Sequence, residues 1–112
     1  MVFLRGELGS GKTTFVQGMA GGLGIKGFIR SSSFVIVNEY KGKKTKLYHI
    51  DLYRLEKKDL NNIGLDEYLN GGGVCVIEWA QKMQVKRFHN FWDIEIAWED
   101  EKSRKIKVGY KK

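Results

Sequence analysis

Eight consecutive residues, Gly6-Glu7-Leu8-Gly9-Ser10-Gly11-Lys12-Thr13, constrain this chain more than any other stretch, because they fit the pattern G-x-x-x-x-G-K-[ST]. Their flanks suit the pattern. Val2-Phe3-Leu4-Arg5 reads as a short buried strand running into the loop, and from Thr13 to Met19 a helix would place Phe15, Val16 and Met19 on one face. Glycines let the backbone curl until successive N–H groups converge on an anion, and the helix N-terminus adds partial positive charge. Phosphate fits such a cradle. Lys12 would reach the β- and γ-phosphates of a nucleotide, and the Thr13 hydroxyl would ligate its magnesium ion. The competing reading, a Gly-rich structural turn, is disfavoured by the strand and helix on either side.

With 112 residues the chain is expected to form one domain, 1–112, with a core but little room for accessory parts. No apolar run approaches the roughly 20 residues needed to span a bilayer, and nothing resembles a secretory signal, so a cytoplasmic location with no membrane contact is expected. The single cysteine, Cys75, excludes an internal disulfide and sits within Val74-Cys75-Val76-Ile77, a setting for a buried, inert thiol. One cysteine and two distant histidines make no zinc ligand set. Twenty Lys and Arg against 13 Asp and Glu give a net charge of +7. That balance permits contact with nucleic acid or an acidic protein, but no repeated aromatic platform lies between the lysines, so a solvated basic surface is the simpler account.

Proline is absent, and no linker, repeat or low-complexity tract interrupts the chain. The first helix is expected to end at Gly21, Gly22 and Gly24, which suit a left-handed cap, before a loop through Ser31-Ser32-Ser33. Phe34 to Tyr40 and Lys46 to Ile50 then read as an antiparallel hairpin around Lys41-Gly42-Lys43-Lys44. Leu52 to Leu69 reads as short helical pieces ending at Gly71-Gly72-Gly73. Val74 to Ile77 is a second buried strand. A closing hairpin pairs a strand carrying Trp92, Ile94, Ile96 and Trp98 with one around Ile106 and Val108, and its polar faces would set Asp93 and Glu95 against Lys105 and Lys107. The fold class is α/β, a P-loop NTPase-like mixed sheet with flanking helices and a C-terminal β-hairpin.

A phosphate loop needs an acidic residue at the end of a neighbouring strand to hold magnesium or orient water. Glu78 follows Val74-Cys75-Val76-Ile77, and Asp51 follows Leu47-Tyr48-His49-Ile50. In a parallel sheet both would emerge beside the loop; the alternative for each is a solvated strand-end acid. Ser31, Ser32 and Ser33 could offer hydroxyls from a mobile loop, or be ordinary loop residues. His49, inside a strand, reads as a packed, hydrogen-bonded core residue rather than a base. Trp79 could cover a nucleotide or partner, with a buried aromatic as the default.

Several segments, taken in order, resemble one family. They are Gly6-Glu7-Leu8-Gly9-Ser10-Gly11-Lys12-Thr13-Thr14, Ser31-Ser32-Ser33-Phe34, Asn38-Glu39-Tyr40, His49-Ile50-Asp51-Leu52-Tyr53-Arg54, Gly64-Leu65-Asp66-Glu67 and Ile77-Glu78-Trp79. The sequence is similar to TsaE, also known as YjeE, the bacterial ATPase of the pathway that makes N6-threonylcarbamoyladenosine at position 37 of tRNA. The similarity is strong over residues 3 to 80. It implies ATP and Mg2+ as cofactors, with Glu7, Leu8, Gly9, Ser10, Gly11, Lys12, Thr13 and Thr14 around the phosphates, and Arg104 as a basic residue near the nucleotide. Glu78 would be a metal-side and catalytic acid with Thr13 as the other metal residue, Asp51 a second essential acid, and Ser31 and Ser33 parts of a switch-like loop. The family usually has Ser-Pro-Thr-Phe there and Pro-Glu after the tryptophan, where this chain has Ser31-Ser32-Ser33-Phe34 and Ala80-Gln81.

Family members usually carry an extra strand and helix before the phosphate-loop strand, whereas this sequence starts at that strand. If that extra strand and helix are truly absent, the sheet edge beside Val2 to Arg5 is expected to be unpaired, and the isolated protein to be unstable or to self-associate. The resemblance implies an ATPase acting with TsaD and TsaB, touching tRNA indirectly through that assembly. Two other readings are a P-loop small-molecule kinase, for which no arginine-bearing lid is visible, and a nucleotide- or tRNA-binding module with weak catalysis.

Overall fold

The computed structural model describes residues 1–7, 10–25, 37–56, 59, 64–83 and 88–112. Strand β1 (Val2–Gly6) leads through the phosphate loop into α1 (Lys12–Gly22). Strands β2 (Val37–Lys41) and β3 (Lys46–Asp51) follow, then α2 (Leu65–Leu69), β4 (Val74–Glu78), a 3-10 helix Ala80–Lys82, β5 (Phe91–Asp100) and β6 (Ser103–Lys111). The six strands form one mixed sheet in the order β2-β3-β4-β1-β5-β6. The inner strands β3, β4, β1 and β5 run parallel, and an antiparallel strand closes each side, β2 on β3 and β6 on β5.

The short apolar strings of β1 and β4 are strands because both of their faces are covered, which removes the alternation a half-exposed strand would show. On one face Val2, Leu4, Leu47, Val76, Ile94 and Ile96 pack beneath Val16 and Ala20 of α1, with Phe15 and Met19 at the margin. On the other, Phe3, Tyr48, Ile50, Cys75, Ile77 and Phe91 pack with Leu65 of α2 and with Leu52, Ala80 and Met83. Each fully buried Leu or Ile contributes about 1.5–3 kcal/mol. Such side chains crowd the middle of the sheet.

The expected unpaired edge beside Val2 to Arg5 is not there. β1 lies inside the sheet, paired with β4 from Val2↔Val76 to Leu4↔Glu78 and with β5 from Val2↔Trp92 to Gly6↔Ile96. The reason is β5, which runs parallel to β1 and fills the place beside it. Among the described residues the edges are β2 and β6.

The closing hairpin has the expected strands but only part of the expected charge pairing. Glu95 does face Lys107, whereas Asp93 faces Gly109 and Lys105 faces Ala97. Both Asp93 and Glu95 bind Arg5 of β1, at 3.0 Å to Asp93 Oδ1 and 3.3 Å to Glu95 Oε2. Ile106, Val108 and Tyr110 are 50%, 58% and 45% exposed, so the apolar side of β6 lies open among the described residues. The first part of the expected strand from Phe34, residues 34–36, and residues 57, 58 and 60–63 of the expected helical pieces lie outside the described residues.

Candidate phosphate site

The loop stands where β1 stops and α1 starts. Gly11 precedes the helix with φ 103°, a left-handed conformation that costs glycine little and other residues more, and no described side chain caps the first turn. Glu7 O accepts a 3.0 Å hydrogen bond from Ser10 N, and Gly11 O accepts one of 3.0 Å from Phe15 N, closing the curl onto the helix. Gly6 is held by crowding: a Cβ there would lie 2.5 Å from Ser10 Oγ and 2.8 Å from Ile96 O. Only glycine fits. Ser10 is 1% exposed and its hydroxyl oxygen has no partner among the described residues, a buried polar atom at the floor of the loop.

Parallel pairing brings the two expected acids together. Asp51 and Glu78 are register partners at the ends of β3 and β4, and Glu78 is in turn the partner of Leu4, two residues before the loop. Glu78 is buried. Its Oε1 lies 3.1 Å from Lys12 Nζ, and its Oε2 accepts a 2.6 Å hydrogen bond from His49 Nε2. Burial alone would raise the carboxyl's pKa, but the hydrogen bond and charge of His49, then Lys12, outweigh it and hold the group below its ordinary 4.5. Removing one partner from a buried ion pair of this kind typically costs about 3–5 kcal/mol. Asp51 is more open, and its Oδ1 accepts a 2.9 Å hydrogen bond from Tyr53 N, which turns the chain away from the sheet.

His49 is the residue that the sequence places in the core and not in the site. It is wholly buried, as a packed residue should be, yet it touches the central carboxylate. Alternation is the signal that could have found it: His49 and Asp51 lie two apart on β3 and so share a face with Glu78 on the next strand.

Arg104 reaches the loop from β6. Its Nε donates to Ser10 O at 3.1 Å, its Nη1 to Asp100 O and Ser103 O, and the guanidinium sits 5.9 Å from the Trp98 ring centre. It thus braces the loop backbone. A cavity of about 470 Å3 opens beside it, with Ser10, Gly11, Thr14 and Phe15 on the loop side and Ile96, Lys102 and Ile106 on the hairpin side. Trp79 follows Glu78 with φ 62° and stacks at 4.9 Å on exposed Tyr53, half-covered rather than buried. Leu8, Gly9, Ser31 and Ser33 lie outside the described residues.

No group of three or more His, Cys, Asp or Glu able to hold a metal ion occurs among the described residues. Magnesium asks for less, since it keeps several waters and takes one or two protein oxygens with the phosphates of its nucleotide. Thr13 at the start of α1 and the Asp51 and Glu78 carboxylates are hard oxygen donors of that kind.

The model for the family "Threonylcarbamoyl adenosine biosynthesis protein TsaE" matches residues 1–106, through most of the closing hairpin. The chain belongs to the TsaE family. The Bacillus subtilis TsaE protein is 48% identical over 81 residues, covering 72% of this chain and 51% of that protein. The Nostoc protein is 38% identical over 112 residues, covering 96% and 68%. Both are named for tRNA threonylcarbamoyladenosine biosynthesis. The crystal structure of Bacillus subtilis YdiB superposes with a TM-score of 0.77 at 37% identity, over 98% of this chain and 66% of that one. The architecture is accordingly a P-loop NTPase-like fold, and the chain spans about half the length of the Bacillus subtilis TsaE protein. No helix among the described residues is long and apolar enough to cross a membrane.

Proposed function

We propose that this chain binds ATP with magnesium at the loop from Gly6 to Thr13, hydrolyses it, and so supports threonylcarbamoylation of tRNA in company with TsaD and TsaB. The observation that carries the reading is the convergence of Lys12, at the start of α1, with Glu78 and Asp51 at the C-terminal ends of the parallel strands β4 and β3, beside the loop. ATP supplies the reacting phosphoryl group, and magnesium offsets the charge that develops on it. Lys12 would leave Glu78 for the phosphate oxygens, Thr13 and Glu78 would hold the metal side, and Asp51 would order the attacking water. The Ser10 hydroxyl and the uncapped N–H groups of α1 supply donors for the phosphates.

The chain's net charge of +7 would favour an acidic patch on the partner assembly, with binding that weakens as salt rises. The test is reconstitution: the chain is mixed with TsaD, TsaB, ATP and tRNA, with the threonylcarbamoyl donor supplied, and modified tRNA is counted per TsaD molecule. More turnovers on adding the chain are expected, and no increase would reject the tRNA role. Phosphate release without any acceptor present is expected as well, and its absence would favour a kinase or a binding module.

A further inference from the structure

His49 is entirely buried, yet its ring does not sit in apolar surroundings alone. Nε2 hydrogen-bonds Glu78 Oε2 at 2.6 Å, and Nδ1 has no partner among the described residues. A carboxylate can only accept, so Nε2 carries the proton of that hydrogen bond. The register partner of His49 across the antiparallel pair is Asn38, whose Nδ2, a donor, is also buried without a described partner. The two unpartnered atoms belong to register partners and lie on one face of the sheet. Glu78 has its two oxygens on unlike neighbours, one on an imidazole fixed within a strand and one on a lysine whose flexible stem belongs to the loop.

We propose that His49 is a positioning residue for Glu78, pinning Oε2 so that only Oε1 changes partner, from Lys12 to the metal side of a bound nucleotide. The inference rests on the nucleotide reading above. Without that pin, the carboxylate released by Lys12 could rotate back into the sheet, and the lysine could leave only by abandoning a buried charge. With it, departure of Lys12 presents an oxygen already aimed at the cleft. Neither Lys12 nor the loop needs His49 to touch phosphate, so the effect should fall on magnesium dependence and not on nucleotide binding itself.

The test is calorimetric titration of the folded chain with ATP, with magnesium present and with magnesium chelated. For the wild type, magnesium should raise the affinity. In His49→Leu that gain should shrink about tenfold, as expected when a hydrogen bond to a charged group is lost, while the magnesium-free affinity stays within about twofold. His49→Gln, which keeps an N–H at a similar reach, should recover most of the gain. An unchanged gain in His49→Leu would overturn the inference, as would a parallel fall in magnesium-free affinity in both variants, the mark of a purely structural role. No magnesium-dependent gain in the wild type would instead overturn the nucleotide reading beneath it. Nitrogen NMR of the unmodified chain gives a check that no folding defect can obscure, with only two histidines to assign. The proton on His49 Nε2 should persist when magnesium and ATP are added, and its loss would contradict the assignment.

Discussion

The two halves of the sheet solve different problems with similar sequence material. In β3, β4 and β1, parallel pairing buries both faces, and charge enters only at the strand ends, where Glu78 is held by Lys12 and His49. In the β5–β6 hairpin, antiparallel pairing leaves one strand as an edge, apolar side chains stay open, and Arg5 and Arg104 tie the hairpin back to the rest. Apolar residues alternate in β6 as they would in a buried strand, yet alternation reports only which side a residue is on. What covers that side decides the energetics. The parallel half should therefore be sensitive in its core and its charges, and the hairpin tolerant in both.

The largest difference should come from a matched pair of truncations. Ile77→Ala, in the covered core, should cost about 2–5 kcal/mol of stability, whereas Val108→Ala, on the open side of β6, should stay within about 0.5 kcal/mol. Chemical denaturation of both variants would measure this, and equal losses would mean that the face of β6 is covered in solution. Next in size, Glu78→Gln and Asp51→Asn should each lower phosphate release at least about tenfold, with Asp51→Asn moving the melting temperature less because Asp51 is the more open of the two. Turnover unchanged in both would return these acids to ordinary strand ends. Arg104→Ala should be milder, weakening ATP binding a few-fold through a looser loop, since its contact is to the Ser10 carbonyl. A hundredfold loss would show that Arg104 holds the nucleotide directly. Smallest of all, Cys75, whose thiol burial pushes above its ordinary pKa and whose Sγ donates to Tyr68 O, should react with a maleimide only as fast as the protein opens.

Much of the parallel half is legible in the residues. The loop pattern locates β1 and α1, and the string Val74-Cys75-Val76-Ile77 locates β4, because fully buried strands and glycine-shaped loops leave local marks. Asp51 and Glu78 are legible as strand-end acids, but their adjacency depends on pairing between β3 and β4, which no local pattern states. His49 is readable for its burial and not for its partner, since its contact with Glu78 spans 29 positions. Placing β1 at the edge fails for the same reason: the neighbour that covers it, β5, is far along the chain, as Val2↔Trp92 shows. In the hairpin, pairing is legible and burial is not, because Asp93 finds Arg5 rather than the opposite strand, and nothing local says which face of β6 is covered.

The most direct measurement is calorimetric titration of magnesium-ATP into the wild-type chain and Lys12→Ala. Lys12 leaves Glu78 for the nucleotide in this account, so losing its charge-assisted contact should lower affinity about ten- to a hundredfold. Equal affinity in the two proteins would contradict it, because the lysine would then be only the structural partner of Glu78.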